Sequence, residues 1–142
     1  MSAKEYLQQI HRLDSEIRQH KRRIIELENE IGGLKAIDYS ADRIQSTPQD
    51  RMPGGIARLV ELQNELMGEV VLLQEKKRRI TAEIGMIKDG SARKEDEAHV
   101  LVLRYINCLD WKTIGDEMSL TERRVQQIHG HALEDFRKLN LF

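Results

Sequence analysis

Aromatic residues make up only 4% of the chain against 33% charged, a balance typical of long exposed helices. The single cysteine, Cys108, excludes an internal disulfide and fits a reducing compartment. Its neighbours Ile106 and Leu109 suggest a packed structural thiol. Only two prolines occur, Pro48 and Pro53, and both lie in one segment. No apolar run is long enough for a membrane span, and the N-terminus lacks a signal-peptide pattern, so no membrane association is expected. Neither charge is in excess: 23 Lys and Arg stand against 24 Asp and Glu. The chain also lacks a nucleophile-base pairing, paired acids in an apolar setting and a Cys-x-x-Cys. Gly54-Gly55 has no Walker lysine at the required spacing. His129-x-His131 looks like a metal pair, but a step of two on a helix turns by about 200 degrees, so the side chains diverge. No catalysis, cofactor or metal is expected.

What the chain has is heptad periodicity. From residue 3 to about 36, Tyr6, Ile10, Leu13, Ile17, His20, Ile24, Leu27, Ile31 and Leu34 alternate steps of four and three, an a/d seam in which only His20 is polar. A seam histidine sets register. Gly32-Gly33 weakens the helix near its end. Residues 38–55 break the pattern with both prolines and Gly54-Gly55, and predict a long mobile loop. From 56 to about 89 the heptad resumes on Ile56, Leu59, Gln63, Leu66, Val70, Leu73, Lys77, Ile80, Ile84 and Ile87. The two helices predict an antiparallel coiled-coil hairpin, with intermolecular parallel pairing left open. Leu62, Met67, Val71 and Leu72 widen the second stripe beyond one seam, which predicts a homo-oligomer, most simply a dimer through a four-helix bundle. Two basic clusters, Arg18 to Arg23 and Lys76 to Arg79, read as solvated faces paired with Glu16, Glu26 and Glu75 rather than as a nucleic-acid surface.

Residues 90–94 read as a hinge, and the acids Glu95, Asp96 and Glu97 open a helix that runs to about Asn107. Val100, Leu101, Val102, Leu103, Tyr105 and Ile106 make it apolar nearly all round, hence buried on more than one side. A short helix from Trp111 to Met118 follows, with Ile114 and Met118 inward. After a break at Ser119-Leu120-Thr121 a second helix carries Val125, Ile128, Ala132, Phe136 and Leu139 on one side, together with His129. Thr121 is its expected cap, with Ser119 and Glu122 a competing capping box. Helix, tight turn, helix is the arrangement that seats its second helix in the DNA major groove. Arg123, Gln127, Gly130, His131 and Glu134 fall opposite the buried stripe, with Arg124 and Gln126 on the flanks. Arg suits guanine and Gln suits adenine through paired hydrogen bonds. Gly130 would let a phosphate or base edge approach.

Leu103-Arg104-Tyr105, Trp111, Ile114-Gly115, Thr121, Val125 and Ala132-Leu133 together resemble region 4 of bacterial sigma factors. Gly115 and Ser119 depart from that family's usual Ala and Gly, and both are small. With His129-Gly130-His131-Ala132-Leu133 and the coiled-coil first half, the chain also resembles small phage and prophage proteins, some of them late-gene transcription regulators. The resemblance implies an all-α protein: residues 1–90 a coiled-coil hairpin for oligomerisation, residues 91–142 a small three-helix helix-turn-helix domain. It implies a sequence-specific transcription regulator binding double-stranded DNA as an oligomer in the cytoplasm of a bacterial host. Arg123 and Gln127 would read bases, assisted by His131, while Thr113, Thr121, Arg124 and Gln126 would contact phosphates. The near-zero charge balance of both halves predicts weak binding by a monomer, so two motifs or bound RNA polymerase must help. Two alternatives stay open: an interaction protein docking on polymerase or a sigma factor without touching DNA, and a small terminase-like packaging subunit.

Overall fold

The computed structural model describes residues 1–41 and 53–142, with side chains described to residue 36 and from residue 54. These residues form five α-helices and no strand. They are α1 (Ala3–Ala41), α2 (Pro53–Gly85), α3 (Ala92–Leu101), α4 (Trp111–Met118) and α5 (Glu122–Lys138). A π-helical turn, Val102–Ile106, continues α3. The all-α expectation therefore holds.

The long helices run antiparallel. Tyr6 Oη donates to Glu83 at 2.6 Å, Lys77 Nζ lies 2.7 Å from Asp14, and His20 Nε2 lies 2.5 Å from Glu69. Residue numbers rise along one helix as they fall along the other. The heptad seams face inward through most of their length: Ile10, Leu13, Ile17, Leu27, Ile31, Val70, Ile80, Ile84 and Ile87 are buried, whereas Leu34, the last position of the first seam, is exposed. Two polar seam positions find partners across the pair, His20 on Glu69 and Lys77 on Asp14. In the basic clusters, Glu26 holds Arg23 and Glu75 holds Arg78, while Glu16 holds no cation among the described residues.

Three boundaries differ from the sequence expectation. Residues 38–41 belong to α1 and 53–55 to α2, and the remaining eleven positions of the expected loop, 42–52, lie outside the described residues. Pro53 opens α2 because the first helical position needs no backbone N–H and suits the fixed φ of proline. At the far end α2 stops at Gly85 rather than 89. Met86, Ile87 and Lys88 donate backbone N–H bonds to the carbonyls of Glu83, Ile84 and Gly85, three residues back, so the helix tightens and ends. Of residues 90–94, expected as a hinge, only Gly90 and Ser91 lie outside a helix. Ser91 caps α3 by accepting from the Lys94 amide, and Asp89 in turn accepts from the Ser91 amide and hydroxyl.

Packing divides the chain into two compact units: Met1–Asp14 with Glu75–Phe142, and Ser15–Gln74. In the first unit α5 packs on α3 and α4. Val100, Leu103, Ile114, Val125 and Ile128 form the core there, with Leu109, Trp111, Met118 and Leu120 against it. The first turns of α1 belong to the same unit. The Tyr6 ring stacks on Phe142, with centroids 4.8 Å apart, and meets Phe136 at 5.8 Å. In the second unit the outward side of α2 leaves Met67, Val71 and Leu72 exposed.

Candidate nucleic-acid interface

Local chemistry sets each end of the two interface helices. Asp110 caps α4, its carboxylate accepting from the Thr113 amide at 2.8 Å, and those bonds from Thr113 hold the Asp110 carboxyl below its usual range. Ser119 ends α4 in the left-handed conformation, φ 57°, which costs any residue with a Cβ. Gly115 is the residue that lets the turn close. A Cβ there would stand 2.7 Å from the Leu120 carbonyl oxygen, whose residue donates its own N–H to the Gly115 carbonyl. Thr121 then caps α5, its Oγ1 accepting from the Arg124 amide at 3.2 Å. The competing capping box at Ser119 and Glu122 is not used, because Ser119 is occupied in ending α4.

The burial pattern of α5 follows the wheel: Val125, Ile128, Ala132 and Phe136 are buried, and Leu139 is half-buried. All seven candidate residues, Thr113, Thr121, Arg123, Arg124, Gln126, Gln127 and His131, are exposed. They do not share one line. Arg123 and Gln127 stand one turn apart on the outermost side, with Gly130 beyond them and no atom within 4 Å of where its Cβ would be. Arg124 and His131, two turns apart, line a cleft of about 440 Å³ shared with Arg93, Asp96, Glu97 and Ile128. Gln126 lies on the opposite flank, and Thr113 belongs to α4. Arg124 Nη1 reaches Gln127 Oε1 at 3.5 Å. Glu134, on the same outer side, is clamped by Arg137, which keeps its carboxyl ionised and low.

Beneath this face lies a ring network. The Arg104 guanidinium sits 4.2 Å over the Trp111 ring and donates to the Leu109 carbonyl at 3.0 Å. Trp111 meets His129 edge-on at 4.7 Å, and His129 Nε2 is 2.8 Å from Tyr105 Oη. Burial, then the charges of Arg104 and Lys4, push His129 down to about 4. It is therefore a neutral structural ring at pH 7. The π-helical turn, in which the Asn107 amide reaches the Val102 carbonyl, sets the directions of Arg104 and Tyr105. Leu103, Arg104 and Tyr105 are visible in sequence, but the widened turn is not.

Two features escaped the sequence reading. Glu97 is almost fully buried, and burial, then its bond to Asp135, push its carboxyl up. Asp135 goes the other way, to about 2, because it accepts from Glu97 and from Lys94. The Lys94–Asp135 ion pair ties α3 to α5. In sequence the acids Glu95, Asp96 and Glu97 look alike, and only packing singles out the last. The second is Cys108, which is exposed rather than packed. Its φ of 54° turns the chain left-handed, so the thiol does not follow its apolar neighbours inward.

Residues 94–138 match the family described as Sigma-70, region 4. No curated protein and no solved structure matches the chain. The match supports a DNA-binding helix-turn-helix role in transcription and names a family of DNA-binding domains rather than of enzymes.

Proposed function

We propose that a chain whose residues 94–138 match Sigma-70, region 4 is a sequence-specific transcription regulator that binds duplex DNA as a homodimer through α5. The observation that carries this reading is the outer side of α5. Arg123 and Gln127 stand there one turn apart, exposed, on a capped helix whose other side is anchored in a core. Arg123 reads guanine and Gln127 adenine, with His131 assisting; Thr113, Thr121, Arg124 and Gln126 hold phosphates. Thr121 keeps its hydroxyl hydrogen for a phosphate while its oxygen caps the helix. Residues 1–90 serve oligomerisation and 91–142 DNA binding. The likeness to small phage and prophage proteins supports that origin, and with it the cytoplasm of a bacterial host. Among the described residues no helix is long and apolar enough to cross a membrane.

Selection from random duplexes at two salt concentrations, with light scattering on the same sample, tests the proposal. The expected result is an enriched two-part site whose affinity falls steeply with salt. Arg123→Ala with Gln127→Ala is expected to abolish specific binding while fold and subunit count persist; unchanged binding by that variant overturns the assignment. A second reading, docking on RNA polymerase or a sigma factor without DNA contact, is favoured by one observation: the chain is close to neutral, and Glu134 and Arg137 cancel each other on α5. Capture of polymerase without salt-sensitive DNA binding would favour it.

A further inference from the structure

The outward side of α2 carries an apolar patch that none of the described residues covers. Val71 is 63% exposed and Leu72 72%, with Met67 beside them. Gly68 points away from the seam, with nothing within 4 Å of its Cβ position. Glycine is unfavourable inside a helix, and here it leaves a notch between large apolar side chains. The patch lies at the middle of α2, Pro53–Gly85, so a copy of α2 laid across it overlaps along its whole length. Charge along the helix is ordered about the same point. Glu61 and Glu65 come before Gly68, and Lys76 and Arg79 after it; none of the four has an ion-pair partner among the described residues. Glu75 is already held by Arg78 at 2.6 Å, and Arg58 lies nearer the start of the helix.

We propose that this face of α2 packs antiparallel on the same face of a second copy, about a two-fold axis beside Val71. This rests on the dimer in the proposed function and names its surface and polarity. Antiparallel pairing sets the acidic half of each α2 on the basic half of the other, and fits Leu72 against the Gly68 notch. Parallel pairing would stack like charges and leave the helix repelling its twin. The face is complementary to itself, which a surface built for an unrelated partner has no reason to be.

The test uses the full chain with Cys108→Ser, since the native thiol is exposed. Val71→Cys and Val60→Cys are made separately and oxidised. In the antiparallel dimer the two Val71 positions are neighbours, while the two Val60 positions stand about 30 Å apart along the axis. The expected result is a covalent dimer for Val71→Cys and none for Val60→Cys. Leu72→Glu should shift the mass by light scattering from dimer to monomer with helicity unchanged. Cross-linking at both positions means parallel pairing and overturns the proposal. A dimer that cross-links at neither, or a wild-type protein that is monomeric, also overturns it. The expected cross-links in a protein that enriches no DNA would leave this surface standing while the DNA-binding reading fails.

Discussion

Gly115 lies mid-helix where alanine would raise intrinsic helix propensity by about 1 kcal/mol. The space forbids it: the new Cβ would meet the Leu120 backbone oxygen at 2.7 Å, and backbone cannot swing aside as a side chain can. Gly115→Ala is expected to lower stability by about 1–3 kcal/mol, read as a lower Tm by circular dichroism. A higher Tm would show that the turn yields. His129 gives a pH prediction. Its folded pKa, about 4, lies below the ordinary 6.5, so the folded state favours the neutral ring. Its contribution is complete above pH 6.5 and is lost as pH falls through that window toward 4. Carboxylates titrate nearby, so the comparison is with His129→Phe, whose stability should fall less between pH 6.5 and 4. Parallel curves for the two proteins would remove His129 as the cause.

At the scale of elements, the short turn between α4 and α5 is made by three residues with separate duties. Gly115 provides room, Ser119 provides the left-handed residue, and Thr121 starts the next helix. Thr121→Ala is expected to cost about 1 kcal/mol in chemical denaturation, the usual value of such a cap. Ser119→Gly is expected to gain about 1 kcal/mol, because glycine is unstrained at φ 57°. Opposite signs at two neighbouring small polar residues would separate capping from backbone strain; equal signs would refute the division. The helices themselves were legible in the sequence, since a 3.6-residue period over many turns needs no tertiary information. Their ends were less so. Pro53 reads as a break and is a start, and residues 86–88 keep the apolar period after the helix has tightened and stopped.

For the whole molecule, the informative contact joins residues far apart in the chain. Tyr6, in the second turn of α1, stacks on Phe142 and meets Phe136, while its hydroxyl donates to Glu83. Burial and the Glu83 carboxylate push the Tyr6 hydroxyl up to about 12, so it stays a donor across the physiological range. A fragment of residues 91–142 lacks these contacts and should melt below the full chain. Tyr6→Ala in the full chain should cost about 2 kcal/mol, less than a fully buried ring because Tyr6 is half-buried. An unchanged melting profile for both would show that the first turns of α1 contribute nothing to the C-terminal helices.

The sequence by itself determined the all-α class, the two seams, the buried stripe of α5 and the outward position of Arg123 and Gln127. Each of these depends on local periodicity, and side chains three, four or seven residues apart must share a helix face. Only the tertiary structure decided the rest. It put Tyr6 on Phe136, made Glu97 the one buried acid of three neighbours, linked Arg104, Trp111, His129 and Tyr105, and left Cys108 in solvent. Those outcomes depend on which elements meet and on how the chain turns between them, and neither leaves a period in the sequence.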